Sequence, residues 1–126
     1  MTQPTQEQLK ELIELYQSGK LDEAEMEVQK LLKESPNDLT CLNILGIITD
    51  RKGETEQAIK IYQKALQINE NSAETHFNIG SILHRLGRSN EARISYEKAI
   101  SIKPDFLNAY FNLGLVYQNL QSYKKA

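Results

Sequence analysis

Few side chains in this sequence are of a type that does chemistry, and their spacing sets them apart from one another. The only histidines, His76 and His84, lie eight residues apart on one predicted helix, about 12 Å along its axis. One metal ion cannot bridge that span without a third element. His76 falls among packing residues and reads as a half-buried wedge between helices, whereas His84, near a helix end, reads as exposed. Cys41 is the single cysteine. No histidine near it in sequence could act as its base, so it reads as a packing residue, and no internal disulfide can form. Acidic residues such as Glu54 and Glu56 lie on solvated surface. No glycine loop follows a strand to cradle a phosphate, because no segment alternates with a two-residue period. The expectation is a non-enzyme with no metal and no cofactor.

The elements behind these residues follow from the glycines. Gly46, Gly80 and Gly114 are 34 residues apart, as are Gly19, Gly53 and Gly87, and Ala24, Ala58, Ala92 and Ala126. Three columns with one period mean a stacked array, in which each unit buries its apolar face against its neighbours. Other columns agree: Leu42, His76 and Tyr110; Leu45, Ile79 and Leu113; Thr49, Leu83 and Tyr117; Val28, Tyr62 and Tyr96; Leu31, Ala65 and Ala99. Pro36 and Pro104 close two units, with Glu70 between them. Within units the apolar spacing is helical, as in Leu9, Leu12, Ile13 and Tyr16. Gly19, Gly53 and Gly87 suit left-handed helix ends. Gly46, Gly80 and Gly114 sit mid-helix, where the missing side chain lets the second helix of the unit approach. Thr5 with Gln8 reads as a capping box. Asn37, Asn71 and Asp105 are expected to cap first helices, and Thr55 and Ser89 second helices.

These columns resemble the tetratricopeptide repeat (TPR) family, whose pattern over 34 residues is W-x2-L-G-x2-Y…A-x3-F…P. The resemblance runs from about Thr5 to Ala126. Leu12 replaces the glycine in the first unit, with Gln8 and Glu11 at usually apolar places, as suits a terminal repeat. The resemblance implies an all-α, right-handed α-solenoid of antiparallel helix pairs with about seven helices. It implies one domain, 1–126, with repeats at about 5–38, 39–72 and 73–106 and a truncated fourth at 107–126.

In this family the first helix of each pair lines the concave face, and peptides bind there. Helical spacing then gives the inward stripe: Asn43 and Ile47; Phe77, Asn78 and Ser81; Asn108, Phe111, Asn112 and Leu115. Asn78 and Asn112 are equivalent, each two residues before its glycine, and Phe77 and Phe111 each three before. An asparagine both donates and accepts, which suits an extended peptide backbone. The pair is similar to the asparagine ladder of arrays attached to O-linked N-acetylglucosamine transferases, although Ile44 breaks it in the second unit. TPR domains that grip a terminal carboxylate place Lys and Arg mid-helix on this face. Neutral side chains stand there here, so no such clamp is expected.

The expected function is a protein-interaction module that binds an extended peptide or a partner protein, as part of a larger protein. The alternatives are a recruiting region of a TPR-containing glycosyltransferase or sulfotransferase, and a structural, self-associating array. The cut fourth unit would leave Tyr110, Leu113 and Tyr117 uncovered and able to self-associate. A net charge of −2 gives no case for nucleic acid. No run is apolar enough to span a membrane, and Met1 leads into polar residues rather than a signal segment. With the lone thiol, this points to the cytoplasm.

Overall fold

A computed structural model describes residues 3–125. Met1 and Ala126, the start of the chain and the fourth alanine of its column, lie outside the described residues. Among those described there are seven helices and no strand: α1 Gln6–Gln17, α2 Leu21–Glu34, α3 Leu39–Arg51, α4 Thr55–Ile68, α5 Ala73–Arg85, α6 Ser89–Ile102 and α7 Leu107–Lys125. The all-helical expectation is met. Helices α3, α5 and α7 start 34 residues apart, and so do α2, α4 and α6.

Local chemistry sets the boundaries. Thr5 and Gln8 form the expected capping box: the Thr5 hydroxyl accepts the Gln8 N–H at 3.1 Å, and Gln8 Oε1 accepts the Thr5 N–H at 2.9 Å. Gly19, Gly53 and Gly87 have φ of 80°, 88° and 80°, a region that costs glycine little.

The other caps fall one residue from their expected places. Asp38, not Asn37, caps α3, its carboxylate accepting the Cys41 N–H at 2.9 Å. Ser72, not Asn71, caps α5. A cap oxygen must reach the N–H three residues on, and only the nearer of two adjacent polar residues does so. Asp105 lies two residues ahead of α7, whose first turn closes on the Phe106 carbonyl. Thr55 and Ser89 are first residues of their helices rather than caps; the cap positions belong to Glu54 and Arg88, without side-chain cap bonds. Arg88 has no side-chain acceptor to cap with, and the Glu54 and Arg88 N–H groups close the turn after each glycine on the Thr49 and Leu83 carbonyls.

Helix contacts divide the chain into two compact units, Met1–Asn69 and Glu70–Ala126. In the first unit, α1, α2 and α3 share a core that includes Leu12, Val28, Leu31, Cys41 and Ile48. A methyl group on Gly46 would run into the Tyr62 ring of α4, so the glycine sets how closely α3 and α4 pack. The pair α1–α2 solves the same problem with other volumes. Leu12 stands in the glycine column and Val28 in the Tyr62 column, and both are fully buried in one cluster. A large residue moved to the first helix is balanced by a smaller one on the second. Lys52 joins α3 to α2 through Asp22 at 3.0 Å and Glu25 at 3.3 Å, and these carboxylates raise its pKa. Exposed pairs of this kind contribute little stability.

In the second unit the α5–α6 packing repeats the arrangement. A methyl on Gly80 would lie 2.9 Å from the Tyr96 ring. Tyr96 is fully buried, with Ala92, Ala99, Ala109 and Val116 in its cluster. Gly114 differs, since a methyl there would meet nothing within 4 Å among the described residues. Among the described residues no helix is long and apolar enough to cross a membrane.

Candidate binding face of the repeat helices

The residues expected to bind a peptide fall on α3 in the first unit and on α5 and α7 in the second. Asn43 is buried, only 6 % exposed, and Ile47 is half-buried. Asn43 shares its column with Phe77 and Phe111, three residues before a glycine, and the three members meet different surroundings. Phe77 is half-buried, with its ring 4.9 Å from that of Phe106 and 5.7 Å from that of Tyr96. It packs between helices of its unit. Phe111 is 69 % exposed and offers an open ring.

On α5, Asn78 and Ser81 are half-buried; on α7, Asn112 is half-buried while Asn108 and Leu115 are exposed. A polar chain that sequence reasoning missed links several of them. Asn112 Nδ2 donates to the Tyr96 hydroxyl at 3.4 Å. The Tyr96 hydroxyl donates to Ser81 Oγ at 3.2 Å, and Ser81 Oγ donates to the Phe77 carbonyl at 3.1 Å. The sequence signal was the tyrosine at position 96: a buried phenol needs a partner for its hydroxyl. Burial pushes the Tyr96 pKa up, opposed by the bonds to Ser81 and Asn112, so the hydroxyl stays protonated and holds its place in the chain. Asn112 keeps its carbonyl oxygen and second N–H for other partners. Asn78 makes no side-chain hydrogen bond among the described residues, and its amide remains free to engage a ligand.

The residues weighed for chemistry are held structurally. His76 is 9 % exposed, with Nε2 at 2.9 Å from the Glu70 carbonyl, which fits the wedge reading. His84 is half-buried rather than exposed, because α7 brings Asn119 Nδ2 to 2.8 Å from its Nε2. Cys41 is fully buried, and desolvation, reinforced by Asp38, pushes its pKa to about 12. Such a thiol is a poor nucleophile. Among the described residues no group of three or more metal-ligating side chains comes together.

The stripe expected to self-associate is altered at one position. Tyr110 and Tyr117 are exposed, at 48 % and 44 %. Leu113 instead packs against the core, because it lies on the same line of the helix as Ala109, Val116 and Leu120.

A family model described as TPR repeat matches residues 51–87 and 80–121. The chain belongs to the tetratricopeptide repeat family. Solved structures agree on the TPR fold. The first TPR domain of human RPAP3 superposes with a TM-score of 0.84 at 19 % identity, over 94 % of each chain. The first TPR of Spaghetti (RPAP3), bound to the HSP90 peptide SRMEEVD, gives 0.80 at 19 % identity, over 90 % of each chain. An O-GlcNAc transferase of Thermobaculum terrenum gives 0.78 at 23 % identity, covering 92 % of this TPR chain and 23 % of the transferase. No curated protein sequence matches the chain.

Proposed function

We propose that this TPR module binds an extended peptide through α5 and α7, with no catalytic role of its own, in a reducing compartment such as the cytoplasm. The observation that carries the reading is the neutral set of exposed Asn108, Phe111 and Leu115 and half-buried Asn78 and Asn112 on the first helices of successive repeats. Asn78 and Asn112 would pair with peptide N–H and carbonyl groups, and Phe111 and Leu115 would take an apolar side chain. Ser81 and Phe77 support this face from behind, through Tyr96. Asn43 and Ile47 have no part in this reading, since Asn43 is buried and both lie in the other unit. The Spaghetti domain holds an acidic peptide. Here α7 carries no Asp, Glu, Lys or Arg from Leu107 to Ser122, which favours a neutral peptide. A second reading, a recruiting segment of a larger transferase, is favoured by the equivalent asparagines at 78 and 112 and would place the same face next to a catalytic domain.

The test uses a peptide selected from a displayed library against the whole chain. Phe111→Ala is expected to weaken it by about 2 kcal/mol and Asn78→Ala by about 0.5–1.5 kcal/mol, with helicity unchanged because Phe111 is exposed and Asn78 is only half-buried. Calorimetry at low and moderate salt should give nearly the same affinity, since no fixed charge lines the α7 part of the face. Unchanged affinity in both variants, or a steep loss with salt, rejects this face as the site.

A further inference from the structure

We propose that Asn119 is a further peptide contact on this face, and that protonation of His84 reverses the amide it offers. The inference rests on the peptide reading above. Three contacts follow one another along the side of α5 that meets α7. The Phe77 ring lies 4.9 Å from that of Phe106, Ser81 reaches Asn112 through the Tyr96 hydroxyl, and His84 Nε2 lies 2.8 Å from Asn119 Nδ2. Phe77, Ser81 and His84 stand at i, i+4 and i+7, one line of α5. Asn108, Asn112, Leu115 and Asn119 form one line of α7 by the same spacing. Asn119 is exposed, so the edge of its amide that His84 does not use is open to a ligand.

The contact dictates the chemistry at both ends. An amide nitrogen donates and does not accept, so His84 Nε2 is the acceptor and the ring is neutral, with its proton on Nδ1. Asn119 then turns its carbonyl oxygen outward, where it suits a peptide N–H. A protonated imidazole carries hydrogen on both nitrogens and accepts at neither. Two donors would then face each other at 2.8 Å. A half-turn of the amide about Cβ–Cγ relieves this: Oδ1 accepts from the ring, and the NH2 group stands where the oxygen was. The outward group changes from acceptor to donor, and the peptide N–H loses its partner. Asn112 has no such switch, because burial keeps its partner, the Tyr96 hydroxyl, protonated.

Histidine is the side chain that changes charge near neutral pH, and the elements around His84 bring few other charges. From Leu107 to Ser122 α7 has no Asp, Glu, Lys or Arg. On α5 the next residue is Arg85, and in the turn beyond it Arg88 pairs with Glu91 at 2.6 Å. On α6, Arg93 and Glu97 pair at 3.1 Å.

The probe is a neutral peptide without histidine, selected from a displayed library against the whole chain at about pH 8. Its dissociation constant is expected to rise about tenfold between about pH 8 and about pH 5. The rise should follow the titration of the His84 ring read by NMR, and should vanish in His84→Gln, which can pair with the amide but takes no charge. In the peptide-free chain, a coupling across the hydrogen bond between Asn119 Nδ2 and His84 Nε2 is expected at the higher pH and lost at the lower. Affinity that ignores the His84 titration, a rise that persists in His84→Gln, or a coupling absent at the higher pH overturns the proposal. Failure of the peptide reading itself shows separately, as wild-type affinity in Asn78→Ala.

Discussion

Tyr96→Ala is expected to destabilise the chain by about 3–5 kcal/mol, the range for deleting a buried aromatic ring. The ring fills the space over Gly80, sits 5.7 Å from Phe77 and is fully buried. Its loss opens a cavity that the rigid helix pair α5–α6 cannot close. Tyr96→Phe separates ring from hydroxyl. It keeps the packing and removes the link from Asn112 to Ser81, for a cost of about 0.5–1.5 kcal/mol. Ser81 still donates to the Phe77 carbonyl, so no buried hydroxyl is stranded. Urea denaturation of the two variants checks both figures. The larger loss is a big fraction of a typical domain's stability of about 5–15 kcal/mol. A Tyr96→Ala chain within about 1 kcal/mol of wild type would show that the ring is not what holds α5 to α6.

The glycine column is expected to answer one substitution with two signs. Alanine at Gly46 or Gly80 gains about 1 kcal/mol of helix propensity. Against that, its methyl would overlap the Tyr62 or Tyr96 ring, and overpacking of this kind costs about 1–3 kcal/mol. Those rings are buried and cannot swing away, so the net change is a loss, larger at Gly46, where the approach is closer. At Gly114 the methyl meets nothing, so Gly114→Ala should raise stability by about 0.5–1 kcal/mol. Thermal melts of the three variants read the sign directly. A stabilised Gly80→Ala would mean that the α5–α6 approach is looser than the contact implies.

The residues that sequence reasoning placed well are those fixed by local chemistry or by the repeat. The capping box at Thr5, the left-handed glycines and the close approach at Gly46 and Gly80 each follow from one residue and its spacing. What the sequence hid depends on neighbours that the period does not specify. Asn43, Phe77 and Phe111 share a column, yet one is buried, one packs and one is open, because burial depends on what lies beside each helix. Tyr96 looked like a packing residue alone; only its position beside Ser81 and Asn112 reveals the polar chain behind the proposed site. The caps were missed by one residue because Asn37 and Asp38, like Asn71 and Ser72, offer similar oxygens at adjacent positions.

The proposed site is tested most directly by amide shift mapping of the whole chain with the display-selected peptide. The account predicts that the perturbed amides cluster on α5 and α7, with the largest changes at Asn78, Phe111, Asn112 and Leu115 and little at Asn43. Perturbations confined to the first unit, or to the α7 surface around Tyr110 and Gly114, would contradict it.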